Sequence, residues 1–354
     1  MKKKLKVFHG TVNYGTQSGI FAKELREKGI TALSVTSEDA FKRVTDIELS
    51  YSNNRVIKFI QRIIYGIRKV KWFFQFNTFH FYFGKSLFSS QIDLPFYKIF
   101  GKKILMEYLG NDIRNYEQLV KRYNLSKEHK FYLNMDEHDK SIRERLINEG
   151  KYIDYRICCL PTHIDFAKSY GFKINEVLPL AIDLKIFKFK PLVQKSKKDK
   201  IIITHAPTNR MFKGTKYIVD AIDRVKNSGY NIEFRLVEGV SYKKLIQEYE
   251  KCDIFIDQIS VGWYGTASLE AMAIGRPVCA FIDERYTDYI DYKNEIPVIN
   301  TTKENIYSTL CKLIENSAEL PEIGAKGRKF VENYHSVCNV TDKLIQIYQT
   351  KLWN

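Results

Sequence analysis

The chain has 354 residues, 44% hydrophobic and 14% aromatic, which supplies real cores and excludes a disordered chain. Its formal net charge of +16 favours phosphate-bearing partners, whether nucleotide, nucleic acid or anionic lipid, without choosing among them. No apolar run approaches the ~18 residues of a membrane span. The positive start MKKKLKVFHG is followed by no apolar signal core, so the expectation is a cytoplasmic protein.

In chain order, LKVFH at 5–9 predicts a strand, and the loop GTVNYGTQSG with Gly15 follows it. A helical pattern then closes at Gly29, and ITALSV at 30–35 is a second strand. Strand, loop, helix and strand in this order open a Rossmann-like unit. Residues 54–77 read as an amphipathic helix: Val56, Phe59, Ile60, Ile63, Ile64, Ile67 and Val70 recur at helical spacing. Arg55, Lys58, Arg62, Arg68, Lys69 and Lys71 share that helix, and no acid occurs between Glu48 and Asp93. Two readings stay open for it: a core-packing helix with a solvated basic face, or an interfacial helix drawn to anionic lipid.

Further strands are expected at 78–83, 103–108 and 154–160. The stretch 176–200 starts apolar and ends Lys-rich, as a linker between domains does. After it the pattern restarts. Strands fit at 201–206, 232–239, 253–259 and from Pro277, with helices at 215–229 and 242–252 and one starting near Thr266 or Ala267. The fold class is thus α/β with two successive parallel halves, and such sheets bind ligands at the carboxyl ends of their strands. Two halves facing each other would enclose a cleft. The six cysteines form no C-x-x-C pair and no spacing with His that suits a metal, so they are expected to be reduced and structural.

The chemistry-bearing residues concentrate in the second half. PTNRMFKGT places Arg210 and Lys213 at a strand's carboxyl end, where a guanidinium and an ammonium suit a diphosphate, although two solvated loop cations would look the same. Asp257 closes a strand, and Gly262 and Gly265 let backbone approach a ligand. The N–H groups of Thr266 and Ala267 would open a helix there and favour an anion. Glu270, within that helix's first turns, could accept hydrogen bonds from the vicinal hydroxyls of a ribose; alone, it would be a Glu favoured by the helix dipole.

GWYGTASLEAMAIGRPV, residues 262–278, resembles the donor-site signature of the large family four of retaining glycosyltransferases, whose GT-B fold joins two Rossmann-like domains. EVLPLAIDLKIF, RMFKG and GAKGRKFVENYHS are similar to its linker, donor loop and final helical segment. The resemblance implies an N-terminal acceptor-side domain at 1–180, a nucleotide-sugar domain at 181–335 and a C-terminal helix, 336–354, crossing back to the first. It makes Glu270 the ribose ligand and has Arg210 and Lys213 neutralise the leaving diphosphate. Gly265, Thr266 and Ala267 would hold phosphate or sugar, with Gly262, Asp257 and Gly15 as further binding positions.

Two positions depart from the pattern. The signature's first Glu falls on Gly262, and the histidine of an H-G-S-D-like stretch falls on Leu109 in YLGNDIR. His80 is the candidate to do that histidine's work, with Glu107 or Tyr108 as neighbours; a core histidine is the plainer reading. The implied function is sugar transfer from a nucleotide-diphosphate sugar to a cell-envelope or lipid-linked glycan, with retention and without a metal, since no D-x-D motif stands in a suitable loop. No resident cofactor is expected. Its place would be the cytoplasm or the inner face of the membrane, reached through 54–77, and nucleic acid ranks last as a partner because no nucleic-acid motif accompanies the charge. The rival is a non-catalytic, glycosyltransferase-like nucleotide-binding subunit. A nicotinamide oxidoreductase would need a G-x-G-x-x-G that HGTVNYGTQSG does not supply.

Overall fold

The computed structural model describes residues 4–37, 44–125 and 130–353. The chain divides into two compact units. The first takes Met1–Val120, Lys130–Ala181 and Val337–Asn354; the second is Ile182–Ser336 with a short stretch beginning at Lys121.

The first unit is built on seven parallel strands in the order β3-β2-β1-β4-β5-β6-β7. They are β1 (Lys6–Thr11), β2 (Thr31–Ser37), β3 (Ile47–Leu49), β4 (Thr78–Tyr82), β5 (Lys103–Tyr108), β6 (Tyr155–Cys158) and β7 (Glu176–Val177). The central strands are covered on both faces, so β4 is buried at every residue. On one face the helix Gln17–Glu27 contributes Ile20, Phe21, Ala22 and Leu25 to a core with Val7, Leu105 and Ile157. Val340, Leu344, Ile347 and Tyr348 complete that core, so the chain's C-terminal segment returns to the first unit as the resemblance implies.

The second unit repeats the design with five parallel strands in the order β12-β11-β10-β8-β9. These are β8 (Ile201–His205), β9 (Ile232–Leu236), β10 (Ile254–Ile256), β11 (Val278–Ala280) and β12 (Ile299–Asn300). Their core joins Ile201, Ile203, Ile254 and Ile256 to Ile218, Ala221, Ile222 and Val225 of the helix Thr215–Asn227. The short strands β3 (IEL), β7 (EV) and β12 (IN) lie outside the expected strands because each mixes polar with apolar residues and shows no apolar run.

One helix departs from the usual arrangement. Arg55–Gln75 is capped by the Asn54 side chain, which accepts from the N–H groups of Val56 and Ile57. Of its 21 residues only Trp72 and Phe73 are buried. Its polar side meets the protein: Gln61 Oε1 accepts from Ser52 N at 2.8 Å and Tyr65 Oη donates to Ser50 O at 2.8 Å. Its apolar stripe faces outward, with Val56 68%, Phe59 62% and Ile67 66% exposed. The core-packing reading of this helix therefore gives way. No helix among the described residues is long and apolar enough to cross a membrane.

Candidate functional site

The carboxyl ends of β8 and β10 gather most of the residues expected to bind a donor. After β8, Asn209 caps the short helix Arg210–Lys213 by accepting from Phe212 N at 2.9 Å. Gly214 ends it at φ 77°, and a Cβ there would stand 2.4 Å from Ser260 Oγ, so both conformation and space require glycine. Ser260 Oγ is buried without a hydrogen-bond partner.

Lys213 reaches across to the end of β10. Its ammonium lies 2.5 Å from Asp257 Oδ1 and 3.2 Å from Gln258 Oε1. The other Asp257 oxygen accepts from Ser268 Oγ at 2.6 Å and from Gly265 N at 3.4 Å. Burial alone would raise the Asp257 carboxyl, but Lys213 and Ser268 outweigh it and hold the group below its ordinary value. One carboxylate thereby fixes the lysine, the glycine loop and the first turn of the next helix in a single network.

That helix is Thr266–Ile274, buried from Ser268 to Ile274 and starting at Gly265 with no side-chain cap. Its first N–H groups, at Thr266 and Ala267, have no intrahelical partner, which is the local arrangement that favours an anion. Glu270 is buried one turn in and accepts from Tyr242 Oη at 2.6 Å. Tyr242 opens the helix Tyr242–Lys251, whose cap is Ser241. The fully buried Tyr249 of the same helix lies in the field of both Glu270 and Asp257, which places the two carboxylates about one side chain.

His205, at the end of β8, is a structural neighbour. Its Nδ1 donates to Ile256 O at 2.8 Å and its Nε2 accepts from Thr215 Oγ1 at 2.9 Å. Burial lowers its pKa to about 4, so the ring stays neutral beside Lys213.

Other expected residues stand elsewhere. Arg210 is exposed, its guanidinium forked onto Glu238, and does not join the Lys213 network. Gly262 has no room for a side chain, because a Cβ would stand 2.5 Å from Asp283 Cβ. Asp283 thus fills the space that the side chain of the signature's first Glu would need, and the next residue, Trp263, is buried at φ 141°.

In the first unit, Gly15 sits at φ 51° ahead of the helix Gln17–Glu27, its carbonyl accepting from Gln17 Nε2 at 3.0 Å. His80 lies in the interior of β4, fully buried, with Nδ1 2.7 Å from Tyr348 Oη and Nε2 3.0 Å from Glu107. Both ring nitrogens are spent on packing partners, so His80 holds the sheet to the C-terminal segment. Leu109 is buried, and Asp112 tethers that turn by accepting from the N–H groups of Leu109 and Gly110.

Sequence reasoning missed Tyr242, Gln258, Ser268 and Asp283. None stands in a spacing that announces it, since each acts through a contact made between elements. It also passed over His163, which follows β6 at its carboxyl end. His163 is fully buried with no well-formed hydrogen bond on either ring nitrogen, and burial lowers its pKa to about 3.

No known family model and no curated protein matches the chain by sequence. Solved structures do. Sucrose-phosphate synthase from Thermosynechococcus elongatus is similar over 98% of both chains, with a TM-score of 0.64 and 14% identity. The Anabaena protein HepE, solved with UDP-glucose, is similar over 96% of this chain and 98% of its own, with a TM-score of 0.60 and 12% identity. WaaG, a glycosyltransferase involved in lipopolysaccharide biosynthesis, is similar over 98% and 100%, with a TM-score of 0.57 and 11% identity. From end to end, this chain has the GT-B fold of glycosyltransferases.

Proposed function

We propose that the protein is a retaining glycosyltransferase that moves a sugar from a nucleotide-diphosphate sugar to a lipid-linked or cell-envelope glycan. The observation that carries this reading is the Lys213–Asp257–Ser268 network at the open N-terminus of the Glu270 helix. The diphosphate would lie against Lys213 and the N–H groups of Thr266 and Ala267, with Gly265 giving backbone access and Glu270 taking the ribose hydroxyls. Arg210 would join by leaving Glu238 for the phosphates.

In the reaction, the bond from the sugar's anomeric carbon to the phosphate oxygen breaks through an oxocarbenium-like state. The acceptor hydroxyl forms its new bond on the same face and passes its proton to the departing phosphate oxygen. The protein's part is electrostatic: a fixed ammonium and helix N–H groups stabilise charge growing on the diphosphate without a divalent ion. Solvated charges would have to reorganise; these are held in place by Asp257.

The outward stripe of Arg55–Gln75 supports placement at an anionic bilayer on the cytoplasmic side. Apolar side chains there would enter the headgroup boundary while Arg55, Arg62 and Arg68 meet lipid phosphates.

A second reading, a nucleotide-binding subunit without turnover, is favoured by the filled space at Gly262 and the interior position of His80. Thermal shift against UDP, GDP, ADP, CMP and their sugar conjugates tests the site, and donor hydrolysis tests turnover. One nucleotide should stabilise the wild type and not Glu270→Ala. Binding without hydrolysis or transfer for any donor would leave the second reading, and no binding at all would remove both.

A further inference from the structure

The first unit contains a cavity of about 980 Å³ that the donor site does not use. It opens beside the ends of β1 and β2, between the helices Arg55–Gln75 and Met135–Gly150 and the crossing segment 84–95. Four cations line it, Lys69, Lys85, Arg145 and Lys151, against one lining acid, Glu144. Arg145 is already committed: Nη1 contacts both Glu149 oxygens at 3.0 and 2.9 Å, and Nη2 donates to Asp112 O.

Among the described residues, no carboxylate lies within ion-pair distance of Lys69, Lys85 or Lys151. Lys69 is the informative one because it is half-buried, its ammonium 5.4 Å from the centre of the Phe88 ring. The acid whose field reaches it is Asp93. That carboxylate is consumed by Ser86 Oγ at 2.6 Å, Leu87 N at 3.1 Å and Tyr97 Oη at 2.9 Å. Burial holds the Lys69 ammonium below the ordinary lysine value, and Asp93 offsets this only in part. A charge taken out of water is normally paired; this one lines a polar cavity and, among the described residues, has no carboxylate at ion-pair distance.

The wall is fixed as well as charged. Phe83, Gly84, Ser90 and Gln91 all have φ between 57° and 61°, and three of them are not glycine. Such backbone persists only where its surroundings hold it. Here Gln91 Nε2 ties the segment to Gly84 O at 3.0 Å and to Glu149 Oε2 at 2.6 Å, and the Arg145 guanidinium packs directly against Gly84.

We infer that this cavity binds the phosphate of the acceptor, with Lys69 as its counter-charge and Lys85 and Lys151 at the rim. The inference rests on the acceptor reading of the first unit. Lys69 belongs to the helix whose opposite side is the outward apolar stripe, so a phosphate carried at a bilayer surface would meet the same helix that touches the bilayer. The phosphate is that of a lipid-linked glycan or of a free sugar phosphate.

Calorimetry on the full chain tests it, with glucose 1-phosphate as the free probe and undecaprenyl phosphate in phosphatidylcholine vesicles as the lipid probe. At least one should bind, glucose and plain phosphatidylcholine should not, and Lys69→Gln should weaken binding roughly tenfold. Lys69→Arg should restore it, Lys85→Gln should weaken it even if Lys69→Gln folds poorly, and Lys213→Gln should leave it unchanged. Which probe responds distinguishes the lipid source from the free one. Binding insensitive to Lys69 and Lys85, binding lost with Lys213, or no binding of either probe would overturn the inference. Lys69-dependent binding in a protein that takes no nucleotide would keep the cavity and remove the transferase reading; nucleotide binding with no phosphate binding would do the reverse.

Discussion

Tyr242 Oη donates a 2.6 Å hydrogen bond to Glu270 Oε1, so the first residue of one helix orients the buried carboxylate of another. An acid so held would not have to be ordered again on binding the proposed ribose. Tyr242→Phe keeps the ring and removes the bond. The expected outcome is roughly fivefold weaker binding of the recognised nucleotide, from a hydrogen bond worth about 1 kcal/mol, with a smaller loss than Glu270→Ala causes. Isothermal titration measures it, and equal affinity in Tyr242→Phe and wild type would separate Glu270's orientation from binding.

The Lys213–Asp257 pair is nearly sealed from solvent, at 12% and 1% side-chain exposure. Removing one member of such a pair strands the other, at a typical cost of ~3 kcal/mol. Asp257→Asn should therefore lower stability in urea denaturation, and the bound nucleotide should recover part of the loss by giving Lys213 a new anion. Because the folded Asp257 carboxyl sits below its ordinary value of 3.8, the pair's contribution is complete above that value and lost as pH falls through the folded one. A nucleotide that stabilises the variant no more than the wild type would show that phosphate does not reach Lys213.

His80 and Glu107 contribute to the stability of the first unit in opposite pH directions. Burial raises Glu107 from 4.5 to about 8 and lowers His80 below 6.5, so the pair is neutral, with the protonated carboxyl donating to Nε2. For Glu107 the folded value lies above the unfolded one: its contribution is full below 4.5 and lost as pH rises toward about 8. For His80 the folded value is depressed: its contribution is full above 6.5 and lost as pH falls. Glu107→Gln should flatten the decline on the alkaline side and leave the acid side in place. Thermal melting from pH 5 to 9 reads this, and an unchanged alkaline slope would mean that Glu107 is ionised in the folded protein.

Ile63 and Ile67 project from the outward stripe, both at least half exposed. Replacing both with Asp should change stability by no more than ~0.5 kcal/mol each, as for surface positions, while abolishing co-sedimentation with vesicles containing phosphatidylglycerol. Binding by the wild type should also weaken with salt. Retained vesicle binding would reject the bilayer as occupant of this stripe, and a change of oligomeric state in the variant would put a second copy there.

The two α/β halves were legible because parallel strands buried on both faces read as short apolar runs, as in IIITH at β8 and VCA at β11. The Glu270 helix was legible for a different reason: two glycines, small residues and one acid at a helix start narrow the possibilities. Lys213 could be named but not its partner, since Asp257 lies 44 positions away and only the β8–β10 pairing brings them together. The outward stripe misleads any reading by period alone. Helical spacing tells that Val56, Phe59 and Ile63 share a side and is silent on whether that side faces protein or surroundings. His80 shows the same limit, for a histidine in a strand reads alike whether it reaches a ligand or ties Glu107 to Tyr348.

The closing of the first core by Val340, Leu344, Ile347 and Tyr348 has a consequence for the order of folding. During synthesis the strands β1 to β7 leave the ribosome long before the segment that covers them, so Leu25, Leu105 and Ile157 wait for a side of their packing. The second unit, whose residues from Ile182 to Ser336 are nearly continuous, has what it needs earlier. The part of the chain made first is thus finished last, and a fragment ending at Ala181 would carry an open apolar seam where the C-terminal helix belongs.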